Sequence, residues 1–563
     1  MSSRSAASLR PVGANLLVVA LLGALFLQAT LSMRLLNASF DEPIHLVAGY
    51  TYWQTGQIRL NPEHPPLIKL LAAWPLRLLE PRLNLDNPAW KDKPADQWEL
   101  GDHFLYSNDA DRLLFWGRMP TVLLALLLGL YVYRWARDLY GTTSGIMALF
   151  LYVFCPNVIA HSRFITMDIG LSCFFLISLY YLWRFVTHGR KGNLVAAGVA
   201  LGLALAAKFS AVILVPSMAL LMGMAALRPP TEGRSREGGR RSERRSAAVN
   251  LWNLSGAGDP RTRLTLAAVA FLLLLGIAFL VVYAVYLFPR DLGFYLRGLM
   301  EVGKQHDPNY EYYLLGDFSD EGWWYYFLVA FVIKTPLPTL IVLAVSLVLL
   351  KVYPARRWLD EAFLVIPGLL LFVVTSALAM PLGVRYLLPV YPLLFVFAAR
   401  SAPFFLVRRV HAAVAAGLGL WLVAGAIRIY PDHLAYFNEV VGGPGHGHNY
   451  LDDSNIDWGT DLKRLKSYME KRGIEHVRLL YDGRGSPDYY KLAVTRATQQ
   501  EWAHQPLPGL YAASTHMLIH GKLFAKRRGW RSDWLSRYQP IDRVGYGFYI
   551  FRFDDPTRMS PRS

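Results

Sequence analysis

Asp41 and Glu42 follow directly on an apolar run, and Glu63-His64-Pro65-Pro66 comes in the same polar stretch. His161, Arg163, Asp168, Lys208, Lys334 and Arg385 lie inside or at the edges of further apolar runs. A charge at the centre of a membrane span costs about 2.5 kcal/mol or more on insertion scales, so such residues are read first as functional. Acids so placed can take a proton from a hydroxyl. Cations can hold a phosphate and stabilise it as it departs. Each residue also has a plainer role. A lone Asp caps a helix, Arg163 pairs with Asp168, and Arg385 snorkels to the surface. Lys334 fits a plain role less well, because the "TPLP" after it must break its helix.

The elements that position these groups are membrane spans. The chain has 563 residues, 54% of them hydrophobic and only 18% charged, which is too apolar for a soluble protein of this length. Eleven apolar segments are expected to cross: roughly 14–36, 113–133, 143–160, 168–186, 193–207, 209–227, 264–288, 324–350, 361–380, 386–406 and 411–430. The first has no small-residue cleavage site and is read as a retained anchor. Alternate loops carry the Lys and Arg residues, while residues 37–112 hold eleven acids against seven Lys/Arg and residues 290–322 seven against three. By the positive-inside rule the N-terminus is cytoplasmic, the C-terminus extracytoplasmic and the acid-rich loops face outward, in a plasma (inner) membrane if the source is prokaryotic. On this threading the outer face collects Asp41, Glu42, Glu63 and Asp168 with Lys208, Lys334 and Arg385. Residues 193–227 must go out and back in one short hairpin that turns near Lys208. Pro43–Trp53 and the stretch from Pro65 read as amphipathic helices lying in the interface plane.

The net charge of +17 does not point to nucleic acid. Nine arginines fall between Arg228 and Arg263 in a Gly/Ser-rich stretch that reads as a disordered basic cytoplasmic loop, and nothing interleaves basic with aromatic residues. Cys155 and Cys173 both lie in apolar runs and read as buried thiols.

From Pro431 onward the long apolar runs stop. "TDLKRLKSYMEKRG" has Leu462, Leu465 and Met469 at helical spacing with Gly473 as a stop, and "HVRLLYD" and "YGFYIFRF" read as strands. The expected architecture is an α-helical polytopic domain, 1–430, with its first extracytoplasmic loop at 37–112 and its basic loop at 228–263. A soluble α/β domain, 431–563, follows outside the membrane. "DDSNIDWG" departs from a calcium loop in its glycine position and in Arg464 where Glu is needed, so capping of the next helix by Asp457 or Thr460 is the preferred reading. His433, His446 and His448 read as loop histidines rather than metal ligands.

At this point a family resemblance enters. "FDE" followed by "HPPLIKLL" resembles the first-loop motifs of protein O-mannosyltransferases, and "RFITMD" and "AKFSA" resemble later motifs of the same family. Glu63-His64-Pro65-Pro66 is similar to the Glu-Lys-Pro-Pro of bacterial lipid A aminoarabinose transferases. "HDPNYEYYLLGDFSDEGWWYYFLVAFVIKTPLP" and "YFNEVVGGP" with "DSNIDWGTDLKRLKSY" look like a prokaryotic branch of this superfamily. The resemblance spans about residues 38–400. It implies a GT-C fold, a polyprenyl-phosphate-linked sugar donor rather than a nucleotide sugar, and inversion at the anomeric carbon. Carried over by position, Asp41 is the expected base, with Glu42 beside it. Asp168 is an acid near acceptor or donor. Lys208 contacts the donor phosphate, with Lys334, Arg385 and Arg163 as further phosphate-binding candidates. Glu63 and His64 are candidates for shaping the acceptor loop or for holding a divalent metal, although His64 stands where the aminoarabinose type has lysine. The acceptor hydroxyl belongs to a protein, a lipid or a glycan, and the β-trefoil of eukaryotic mannosyltransferases has no counterpart. Two rivals use the same charges: a transporter or flippase of lipid-linked sugars, and a non-catalytic membrane receptor. Matching broken halves would mark the first, and the acid-rich first loop is superfluous to the second.

Overall fold

The computed structural model describes residues 11–91, 97–227, 259–304, 310–352, 357–498, 501, 506–529 and 537–554. The basic loop lies outside the described residues except for its end. There Asp259 caps the helix Pro260–Val285 by accepting from the Thr262 N–H, so the stretch expected to stay irregular to residue 263 is helical from Pro260.

All eleven apolar segments are helical, but they do not form eleven equal spans. Among the described residues eight helices are long and apolar enough to cross a membrane, and the protein is a multi-pass membrane protein. Three segments depart from expectation, each for a local reason. The segment 143–160 is divided by Cys155-Pro156 into Thr142–Val153 and Pro156–His161. Lys191–Ala207 ends where Lys208 takes up an extended conformation, and the chain returns through Phe209–Leu227. The segment 324–350 breaks at Pro336 into Tyr326–Lys334 and Leu337–Val348, bent by 108°. The proline ring there removes a backbone donor and fixes the preceding residue outside the helical region.

The two helices expected to lie amphipathically in the interface are not of that kind. Glu42–Thr55 is buried on nearly every side along Glu42–Tyr52, and Leu67–Ala73 is buried except at Leu71. They pack against each other and against Gln97–Tyr106 and Ala110–Tyr140. Glycine makes the approach close enough. A Cβ on Gly49 would strike the Lys69 carbonyl, and one on Gly101 the backbone of Pro43 and Ile44. Both helices are therefore buried between other helices rather than lying with one side toward lipid.

The C-terminal region forms a five-stranded sheet in the order β4-β3-β5-β7-β6. Its strands are β3 (Val477–Leu480), β4 (Val494–Arg496), β5 (Gly509–Ser514), β6 (Asp542–Val544) and β7 (Phe548–Phe553); a separate hairpin pairs β1 (Tyr312–Leu314) with β2 (Asp317–Ser319). β3 runs parallel to β4 and β5, and β7 antiparallel to β5 and β6. The helix Leu462–Arg472 buries Leu462, Leu465 and Met469 and ends on Gly473 in the left-handed region, φ 62°. Its N-cap position is Asp461, with no side-chain cap bond, so neither Asp457 nor Thr460 caps it as expected. A second helix, Thr515–Arg527, follows β5.

Candidate active site

Two acids adjacent in sequence are separated in role by their surroundings. The Glu42 carboxylate is fully enclosed. It accepts from Arg118 Nε and Nη2, both at 2.7 Å, from the Ser39 N–H at 2.8 Å and from the Ile165 N–H at 3.1 Å. The other Arg118 donors reach the carbonyls of Met33, Leu36 and Asn37. This network ties the end of the first helix to the loop ahead of the helix Met167–His188. Glu42, expected at the chemistry, is thus spent holding the turn that carries Asp41. Asp41 sits at the N-cap position of its helix but makes no side-chain cap bond, so the plain capping role fails. Its carboxylate instead meets Arg385 Nη1 at 3.1 Å.

Arg385 comes from the short turn Val384–Leu387 between two spans. Its guanidinium lies 4.4 Å from the Trp458 ring centroid and 5.5 Å from that of Tyr386. Burial opposes its charge, but Tyr386, Asp41, Asp168 and Asp453 outweigh burial and raise its pKa. Lys208 Nζ lies 4.4 Å from the centroid of the same Tyr386 ring and 2.6 Å from Asp168. Two acid–cation pairs therefore meet around one tyrosine. They bring together four of the sequence-derived candidates, Asp41, Asp168, Lys208 and Arg385, from four separate parts of the chain.

The remaining candidates stand elsewhere. Arg163 does not pair with Asp168; it donates to the Pro431 carbonyl at 2.7 Å, and burial pushes its pKa down to about 10. Lys334 is wholly buried and donates to the carbonyls of Leu434 and Asn455, each at 2.6 Å, so it fastens the segment 434–455 rather than facing an open site. Glu63 accepts from the side chains of Asn61 and Gln97. Beside it Lys69, which the sequence reading passed over, donates to Asn61 O, Asn61 Oδ1 and His64 O. Burial pushes the Lys69 ammonium down to about 7, with Glu63 acting in opposition. His64 and His45 meet edge to face at 5.5 Å, and burial drives the pKa of both down. Among the described residues, Glu63 and His64 do not belong to a group of three His, Cys, Asp or Glu residues whose donor atoms lie close enough to hold one metal ion.

Asp41 and Arg385 open into a cavity of about 310 Å³ whose far wall is C-terminal: Asp453, Asp457, Trp458, Asp482 and His516. A neighbouring cavity shares Tyr312 and Met380 with it and runs between Trp323, Trp324 and Ser376–Pro381. Three of these five residues come from the segment Asp452 to Leu462. Asn455 accepts from the Val384 N–H and donates to the Tyr326 hydroxyl, Ser454 donates to the Leu382 carbonyl, and Asn37 joins Gly459 O to the Leu462 N–H. Burial pushes the Asp457 carboxyl up to about 7. These wall residues were missed from sequence, although "DDSNIDWG" carries enough buried polar side chains to have flagged them. A further polar cavity, lined by Asp138, Trp183, Arg184, His188 and Asp360, lies at the other end of Met167–His188, about 30 Å along that helix from Asp168, and stands apart from this constellation.

Residues 111–233 match the family model described as dolichyl-phosphate-mannose-protein mannosyltransferase. That stretch contains Arg118, Arg163, Asp168 and Lys208. The match covers less than a quarter of the chain and shows a similarity to that family over this stretch. No curated protein matches the chain by sequence. Among solved structures, it is similar to ArnT from Cupriavidus metallidurans bound to undecaprenyl phosphate, at 13% identity over 96% of this chain and 98% of that one, TM-score 0.46. It is also similar to the Archaeoglobus fulgidus oligosaccharyltransferase in complex with Zn and sulfate, at 13% identity over 73% of this chain and 53% of that one, TM-score 0.42. A third is arabinosyltransferase EmbB from Mycobacterium smegmatis, at 15% identity over 71% of this chain and 31% of that one, TM-score 0.37.

Proposed function

We propose that this protein is a membrane glycosyltransferase of the GT-C type that moves a sugar from a polyprenyl-phosphate carrier to a hydroxyl on a protein, lipid or glycan, at the extracytoplasmic face and with inversion. The observation that carries the reading is the meeting of the Asp41–Arg385 and Asp168–Lys208 pairs around Tyr386, with Asp41 and Arg385 lining a cavity. Without substrate the two acids neutralise the two cations. A donor phosphate competes for Arg385 and Lys208, and as it takes Arg385 it releases Asp41 to act as a base. The acceptor oxygen then attacks the anomeric carbon, its proton passes to Asp41, and the bond from that carbon to the phosphate oxygen breaks with its electron pair going to phosphate. One displacement inverts the centre. Lys208 and Arg385 stabilise the departing charge, which grows most in the transition state. Asp168 orients Lys208, and Glu42 with Arg118 fixes the turn beneath Asp41.

The cavity between Trp323, Trp324 and the end of the helix Trp358–Leu378 supports entry of a lipid-linked donor, because tryptophans favour the level of the headgroups. The test is mass spectrometry of lipid-linked sugars and surface glycans in cells lacking the protein, rescued with wild type or with Asp41→Asn. Accumulation of one polyprenyl-phosphate sugar, with loss of one residue from one glycan and rescue by wild type alone, names donor and acceptor. Unchanged glycans, or equal rescue by the Asn variant, would remove the transferase reading in this form and favour a carrier of lipid-linked sugars.

A further inference from the structure

The helix Thr515–Arg527 carries His516 and His520 one turn apart on the same face, with ring centroids 4.3 Å apart. Both rings point at one carboxylate. His516 Nδ1 lies 2.9 Å and His520 Nε2 3.0 Å from the same oxygen of Asp452, and His516 Nε2 lies 3.4 Å from Asp482. Asp452 is only 4% exposed, yet no hydrogen bond of acceptable geometry reaches either of its oxygens, nor His520 Nε2. Among the described residues this is the one group of three His, Cys, Asp or Glu residues whose donor atoms all lie within 4.8 Å of one another.

Two imidazoles and a carboxylate are a zinc-type donor set; calcium and magnesium prefer oxygen throughout. Bonds of about 2.0–2.1 Å in a tetrahedron place neighbouring ligand atoms about 3.3 Å apart, close to the 2.9 and 3.0 Å separations here. A hydrogen-bonded cluster accounts for the site less well. Two imidazoles crowd one oxygen while the second oxygen of a buried carboxylate goes without a donor, and such groups are ordinarily satisfied.

We infer that Asp452, His516 and His520 bind a divalent transition metal of the zinc class, with a fourth coordination position left for an oxygen ligand. Asp482, on the far nitrogen of His516, orients that ring as outer carboxylates do in metal sites. His516 also lines the cavity that holds Asp41 and Arg385, so the site stands beside the proposed substrates. The bound ion would fasten the helix Thr515–Arg527 to the segment that walls the cavity. The competing occupant is a proton. Burial disfavours it, but Asp452, Asp482 and Asp453 together raise His516 to about 10, and a bound metal must displace it.

The full-length protein in detergent, stripped with chelator and dialysed, is titrated with Co²⁺ alone. Binding of about one equivalent, with the visible absorption of a tetrahedral nitrogen–oxygen site, is the expected result. It should be lost in His516→Ala and in His520→Ala, and His64→Ala should keep it. Zn²⁺ added in equal amount should bleach the absorption. Absence of that absorption in stripped wild-type protein overturns the assignment and leaves a protonated His516–Asp452 ion pair. Because the wild-type titration decides by itself, a variant that fails to fold does not protect the inference. The readout also needs no transfer activity, so it is independent of the proposed reaction.

Discussion

Asp41 and Glu42 are neighbours with opposite surroundings, and exchanging each for its amide separates chemistry from architecture. Asn and Gln preserve shape and remove only the charge. Glu42 has no exposed surface and accepts four hydrogen bonds, two of them from an Arg118 that is itself 1% exposed. Glu42→Gln would leave that guanidinium buried with three carbonyls and no counter-charge. Breaking a buried pair in this way costs about 3–5 kcal/mol. Asp41 is different: its side chain is 19% exposed and its ion pair with Arg385 is single and 3.1 Å long. A partly exposed pair of this kind contributes about 1 kcal/mol or less. As a general base, by contrast, Asp41 should contribute about 10²–10⁴-fold in rate.

The expected outcome is therefore crossed. Asp41→Asn should unfold within a few degrees of wild type and lose about a hundredfold or more of its transfer. Glu42→Gln should lose stability first, with transfer falling as the folded fraction falls. Unfolding is followed by intrinsic tryptophan fluorescence in lipid nanodiscs, and transfer by glycan mass spectrometry in rescued cells. A stable Asp41→Asn protein that retains more than about a tenth of wild-type transfer would refute the base, given the size such catalysis usually has. A Glu42→Gln protein as stable as wild type would refute the account of the buried pair.

Three more outcomes follow from the same geometry. Lys208→Met leaves Asp168, whose side chain is 3% exposed, without its cation, so stability should fall by about 3–5 kcal/mol and transfer should be lost; denaturant unfolding that matches wild type would contradict this. Trp458→Ala removes the ring 4.4 Å from Arg385, a contact of about 1–2 kcal/mol, and should raise KM for the donor about tenfold while Trp458→Phe restores most of it; a change confined to kcat would argue against this. Burial raises the Asp457 carboxyl to about 7, above an unfolded value of about 3.9, so between those values the folded protein holds a proton that the unfolded chain releases. Stability from this group is present below about pH 4, is lost as pH rises to about 7 and then levels off, so the melting temperature of Asp457→Asn should lack the fall that wild type shows between about pH 4 and pH 7.

What could be read in advance follows from how local each cause is. Hydropathy is local, and every apolar segment proved helical. So is proline, and the break after Lys334 was legible from "TPLP". Burial from all sides is not local. Pro43–Trp53 carries enough polar residues to pass for an interface helix, and only Leu67–Ala73, Gln97–Tyr106 and Ala110–Tyr140 closing round it show otherwise. Arg118 could have been found. It is a lone arginine in the apolar run 113–133, and the rule that singled out Lys208 applies to it equally. Lys69 could not, because a lysine in "PPLIKLLAAW" looks like the polar side of an amphipathic helix until Asn61 and His64 fold over it. His516 and His520 carried the signal of helical spacing, but their third partner is Asp452, in a segment read as a failed calcium loop.

That segment changes how the molecule divides. The sequence separates an apolar body from a polar tail at Pro431, and a tail of that kind reads as an accessory. The side chains say otherwise. Lys334, from the broken helix of the body, sends two hydrogen bonds from its side chain to carbonyls beyond the boundary. Arg385 rests on Trp458 from beyond it and on Asp41 from before it. Asn37 bonds to Gly459 and Leu462 across more than four hundred residues. A cavity with one wall from each side closes only when both are folded, so removal of the C-terminal sheet should abolish donor binding as well as any acceptor recognition the sheet provides. A truncated protein that still binds a polyprenyl phosphate as tightly as the full chain would show that the body alone completes the phosphate site.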